Sequence, residues 1–248
     1  MELDKASQLN FLARLKNKLI ERFSLTRFSL SECELCQSKP LIHPMLCQHC
    51  KDDLPLFTYQ HLHDNLLNWP AIDKLFPDRK FDKLLCLAPY VFPIDHWLKQ
   101  LKYQQRFEIA DLLGFLLAQL WNEKQKTHND AALLAVPIHI KKWQQRGFNQ
   151  AHLIAKAFAK HTQLPYLKKA LYRVTFNQSQ VGQSGKARRQ HLKGAFILGQ
   201  AKEILPETII LLDDVITTGT TTNTICRLLK KEGVKHITVL TVSLSLPQ

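Results

Sequence analysis

No stretch of this 248-residue chain approaches the about eighteen consecutive apolar residues that a membrane span requires. Its first residues lack the apolar core and small-residue cleavage site of a secretory signal, so the sequence predicts a cytoplasmic protein. A GxxxxGK run followed by Ser or Thr is missing, which argues against a P-loop. GxGxxG is missing too, which argues against a dinucleotide fingerprint. Repeats and low-complexity tracts are likewise lacking. Acids are scarce, with 21 Asp+Glu against 34 Lys+Arg. The resulting charge of +13 favours a polyanionic partner: nucleic acid, a phosphorylated metabolite or an anionic membrane surface.

With 45% apolar and 22% charged residues, the chain is long enough for one α/β core and a small appendage. Within residues 1 to 30, the segment QLNFLARLKNKLIERF (8 to 23) places Leu9, Leu12, Leu15, Leu19 and Phe23 at helical spacing among Arg14, Lys16, Lys18 and Arg22. This predicts a basic amphipathic helix, packed on the protein or touching a membrane or partner peripherally. Residues 31 to 80 read as a four-cysteine module followed by an irregular connector. From 81 to 248 strands alternate with helices. Apolar runs at 83 to 92, 131 to 138, 170 to 174, 207 to 215 and 236 to 244 are separated by helical patterns. That alternation predicts an α/β fold, a mostly parallel sheet with helices on both faces.

CELCQSKPLIHPMLCQHC (33 to 50) sets Cys33-x2-Cys36 and Cys47-x2-Cys50 ten residues apart. Two such pairs form turns whose thiolates meet tetrahedrally around one structural Zn²⁺. His43 and His49 are spare donors. A cytoplasmic chain makes disulfides the weaker reading. Cys86, in an aliphatic strand, and Cys226, in a helix, read as small core residues.

LLDDVITTGTTT (211 to 222) ends an apolar run on Asp213 and Asp214, then gives a loop of threonine around Gly219. Ligands of parallel sheets bind beyond the carboxyl ends of strands, and a hydroxyl-rich loop leading into a helix N-terminus offers donors to a phosphate. Two adjacent carboxylates before it suit the vicinal diol of a ribose. A simple turn with one capping threonine would leave both acids unexplained.

IILLDDVITTGTT (209 to 221) resembles the signature of type I phosphoribosyltransferases, which binds 5-phosphoribosyl 1-pyrophosphate (PRPP). VPIHIKKWQQRGFNQAHLIAKAFA (136 to 159), LKYQQRFEIADLLG (101 to 114) and the cysteine module are similar to segments of the ComF family of competence proteins. QVGQSGKARRQHLKGAF (180 to 196) keeps that family's Gln180 and Arg188 but has His191 and Gln183 where it usually has Asn and Leu.

The resemblance implies a phosphoribosyltransferase-like fold with an N-terminal zinc ribbon. Asp213 and Asp214 would be the catalytic pair on the ribose hydroxyls. Val215, Ile216, Thr217, Thr218, Gly219, Thr220 and Thr221 would form the phosphate loop. Lys102, Arg146 and Arg188 would meet the pyrophosphate with its Mg²⁺. His139 and His191 are the candidate general bases. Three functions follow. The first is a competence factor that handles imported single-stranded DNA with other transformation proteins, Trp143 and Phe148 stacking bases beside Lys141 and Lys142. The second is a PRPP-dependent transferase of nucleotide metabolism, and the third a nucleotide-sensing adaptor.

Overall fold

Four aliphatic runs fold as strands and pair side by side. The computed structural model describes residues 31–124, 130–174, 195–199 and 205–245. The N-terminal helix expected within residues 1 to 30 lies outside them. β1 (Lys83–Pro89), β2 (Ala131–Ala135), β5 (Thr208–Ile216) and β6 (His236–Leu244) form one sheet in the order β1-β6-β5-β2. Every pairing in it is parallel. Ile209, Ile210, Leu211 and Leu212 of β5 are fully buried. Successive side chains of a strand face opposite ways, so both faces of the sheet are covered.

The run at 170 to 174 does not join that sheet. Its β3 (Leu171–Arg173) pairs antiparallel with β4 (Phe196–Leu198), setting Arg173 opposite Phe196.

The chain divides into two compact units, one ending at Leu54 and the other beginning at Pro55. The division expected near residue 80 is displaced because 55 to 80 is bonded to β1, the edge of the sheet. Phe57 N–H donates to Leu87 O, and the Tyr59 hydroxyl both donates to Cys86 O and accepts from Cys86 N, at 2.7 Å each. Asn65 Oδ1 accepts from Leu84 N at 3.0 Å. An edge strand presents unpaired backbone groups, and this segment satisfies them. Its Leu66 and Ile72 are buried at 0% and 1% exposure.

Helices α3 (Ile94–Gln104), α4 (Glu108–Lys124), α6 (Gln150–Thr162) and α7 (Thr220–Lys231) match the expected helical runs. Among the described residues three short α-helices come in addition, α1 (Gln48–Asp52), α2 (Pro70–Asp73) and α5 (Ile140–Arg146), with a 3-10 turn at Leu66–Asn68. Cys86 and Cys226 are fully buried. No helix among the described residues is long and apolar enough to cross a membrane.

α4 and α6 pack closely enough to require Gly114, where a Cβ would stand 2.5 Å from Ala157 Cβ and 2.8 Å from Phe158 N. Alanine in a helix interior normally gains about 1 kcal/mol over glycine. Here overpacking, about 1–3 kcal/mol, opposes that gain. Gly114→Ala is therefore expected to lower the urea midpoint with an unchanged slope.

Candidate functional site

In the first unit, Cys33, Cys36, Cys47 and Cys50 are brought together with their sulfurs within 4.8 Å of one another. Backbone turns do this: Gln37 N–H donates to Cys33 O, Glu34 N–H to Met45 O, and Lys51 N–H to Cys47 O. Cys47 caps α1 by accepting from Cys50 N at 3.4 Å. The Cys36 and Cys47 sulfurs are 3.6 Å apart. A tetrahedral site with metal–sulfur bonds of about 2.3 Å sets neighbouring sulfurs about 3.8 Å apart, so the donor set fits a metal such as zinc. His43 stands outside the cluster; its Nδ1 accepts from Met45 N within the turn.

In the second unit, the β2 pairing of β5 stops at Leu212, where Val136 N–H donates to Leu212 O. On the other side β5 stays paired with β6 to Ile216. Asp213 and Asp214 therefore lie within β5, three and two residues before its end, at the point where one flank opens.

Asp214 is 5% exposed and receives Lys102 Nζ on Oδ2 at 2.5 Å and Gln150 Nε2 on Oδ1 at 3.3 Å. Its amide donates to Asp213 Oδ1 at 2.9 Å. Burial pushes the Asp214 carboxyl up, but the Lys102 ammonium and these hydrogen bonds outweigh it and hold the group below the usual carboxylate range. Among the described residues, Asp213 has no such cation in contact. Burial, then the adjacent Asp214 charge, raise it well above that range.

Lys102 does not lie on a solvated helix face, as its neighbours Lys99 and Gln104 suggest. It follows Leu98 by four residues, and positions so spaced share one side of a helix. That spacing was the available signal for its inward course. Removing one partner of such a buried pair costs about 3–5 kcal/mol, because the other charge is left unpaired.

Arg146, at the end of α5, donates to Gln150 Oε1 at 3.2 Å and to Tyr103 Oη at 3.4 Å, stacking over that ring at 5.0 Å. Gly147 turns the chain at φ 78°, and Asn149 caps α6 while donating to Val136 O. A relay thus runs from Arg146 through Gln150 to Asp214. The sequence reading passed over Gln150, Tyr103 and Arg173.

Gly219 adopts φ 65°, and a Cβ there would lie 2.7 Å from the Phe76 ring. Both facts exclude a side chain, so the loop rests on the aromatic wall of residues 55 to 80. The Thr218 and Thr220 hydroxyls are 2.9 Å apart, and α7 begins at Thr220. Thr217, Thr221 and Val215 open with both aspartates, Lys102 and Arg146 onto one cavity of about 460 Å³. Thr218, Gly219 and Thr220 instead line a smaller hollow beside Phe76, and Ile216 is buried.

His139 reaches the larger cavity, its Nδ1 accepting from Lys141 N at 3.2 Å. Burial, then Arg173, Lys141 and Lys142, lower its pKa. Trp143 is half-exposed on α5, whereas Phe148 turns edge-on to Phe107 at 5.0 Å. Arg188, Gln180, Gln183 and His191 lie outside the described residues.

A family model for the phosphoribosyl transferase domain matches residues 107–244. Competence protein F of Haemophilus influenzae is 34% identical over 212 residues, 84% of this chain and 87% of that protein. DNA utilization protein YhgH of Escherichia coli O157:H7 is 28% identical over 210 residues, with the same coverage of each chain. Competence protein ComFC of Streptococcus pneumoniae is 24% identical over 147 residues, 59% of this chain and 63% of that protein.

The raised Asp213 carboxyl has a consequence for stability. The unfolded chain releases this proton near pH 4, earlier than the folded one, so its ionisation weakens the fold as pH rises from there. Asp213→Asn is expected to raise the melting temperature at pH 7 and to change it less at pH 4, as read by thermal unfolding at each pH.

Proposed function

The chain belongs to the phosphoribosyl transferase domain family and, with competence protein F, to its ComF branch; from this we propose that it is a competence factor handling incoming single-stranded DNA through a PRPP-binding pocket. The observation that carries the reading is the opening of two adjacent carboxylates and Thr217 and Thr221 onto one cavity at the carboxyl end of a parallel sheet. Relatives named for competence and DNA utilization supply the biological half.

Asp213 and Asp214 accept from the ribose hydroxyls, and the loop from Val215 to Thr221 meets the 5′-phosphate with the Thr217 and Thr221 hydroxyls and the first amides of α7. Lys102 and Arg146 face the pyrophosphate, which brings Mg²⁺ with it. If transfer occurs, the bond from the anomeric carbon to pyrophosphate breaks through an oxocarbenium-like state as the acceptor attacks. These side chains then act by positioning and by charge. Beside the pocket, exposed Trp143 and Tyr103 among Lys141, Lys142 and Arg146 offer stacking platforms in a basic field. The four thiols hold a structural Zn²⁺, which fits a reducing compartment, the cytoplasm.

Titration of the full chain with PRPP and Mg²⁺ tests the pocket. Wild type is expected to bind, and Asp213→Asn/Asp214→Asn to weaken binding by about tenfold or more. A folded wild type that ignores PRPP would overturn the reading. Pyrophosphate release with an added acceptor would make the protein a transferase. Single-strand binding is expected to fall steeply with salt. Atomic absorption should find one zinc per chain, and much less in Cys50→Ser.

A further inference from the structure

Arg173 stands in the same cavity with no task in the arrangement so far described. The β3–β4 register holds its guanidinium over the Phe196 ring, 5.3 Å from the centroid. It is half-buried, and burial lowers its pKa. No carboxylate among the described residues lies within ion-pair distance of it. A partly desolvated cation without a counterion is costly, and a guanidinium presents a planar fork matched to a carboxylate or phosphate. The cavity's own acids do not answer it: Asp214 is engaged by Lys102 and Gln150.

Two further donors line the cavity with it. His139 uses Nδ1 to accept from Lys141 N, which places the ring proton on Nε2. Lys142 is exposed and has no acidic partner among the described residues.

We propose that Arg173, with His139 Nε2–H and Lys142, forms an oxyanion subsite beside the phosphoribosyl site, so that the second ligand of this cavity carries a carboxylate or phosphate. The inference rests on reading the cavity as a PRPP pocket and gives the class of its co-ligand. It also assigns His139 as a donor rather than a general base.

The test saturates the full chain with PRPP and Mg²⁺, then titrates inorganic phosphate and, separately, benzoate at constant ionic strength, read by calorimetry. Wild type is expected to bind one of these anions, the preferred one telling phosphate from carboxylate. Arg173→Gln should weaken that binding by about tenfold or more, with PRPP affinity unchanged. Arg173→Lys should fall between the two, and the surface change Lys142→Gln should weaken it by a smaller factor. Absence of anion binding in wild type, or equal binding in Arg173→Gln and Lys142→Gln, overturns the subsite.

If PRPP itself does not bind, the pocket reading fails, and phosphate titration without PRPP decides this inference alone. Weakening by Arg173→Gln but not by Asp213→Asn/Asp214→Asn sustains it; insensitivity to Arg173 ends it.

Discussion

Two neighbouring carboxylates at the mouth of a strand whose preceding four residues are wholly buried pose an electrostatic problem that the surrounding elements answer. Lys102 from the last turn of α3 and Gln150 from the first turn of α6 converge on Asp214. Arg146 and Asn149 then fix where α6 starts relative to β2. Helix placement at this end of the sheet follows from charge compensation as much as from apolar packing. Among the described residues Asp213 is left without a cation in contact, and with it the site keeps an acceptor whose ionisation the fold resists.

The glycine at 219 belongs to the same logic at the loop. A left-handed backbone and an aromatic ring behind it admit no side chain; Thr218 and Thr220 beside it line the hollow at Phe76, while Thr217 and Thr221, one step further out, line the opposite cavity. Only Thr217 and Thr221 of the loop's threonines share the aspartates' cavity. Backbone amides therefore have the larger share in any grip on a phosphate than the threonine-rich composition suggests.

Much of this was legible where local pattern and burial coincide. The run ending in Asp213-Asp214 announced β5 because buried parallel strands are continuously apolar, and the cysteine spacing announced a cluster that the turns deliver. α5 escaped because it has no buried residue and so no apolar periodicity. The boundary at Leu54 escaped because Tyr59 and Asn65 tie the following segment to β1 through hydrogen bonds to residues far along the chain. Lys102 could be singled out by its four-residue spacing from Leu98, whereas Arg173 is one basic residue among many in a chain of +13, and only its tertiary partner distinguishes it.

The stretch from Pro55 to Lys80 is therefore a wall and a selvedge rather than a tether. It finishes the outer margin of β1 and backs the threonine-rich loop after β5 through Phe76. A fragment begun at residue 81 would keep every strand of the main sheet. It would also carry a raw margin of unsatisfied amides, open to adhesion between molecules, and a loop with nothing behind it.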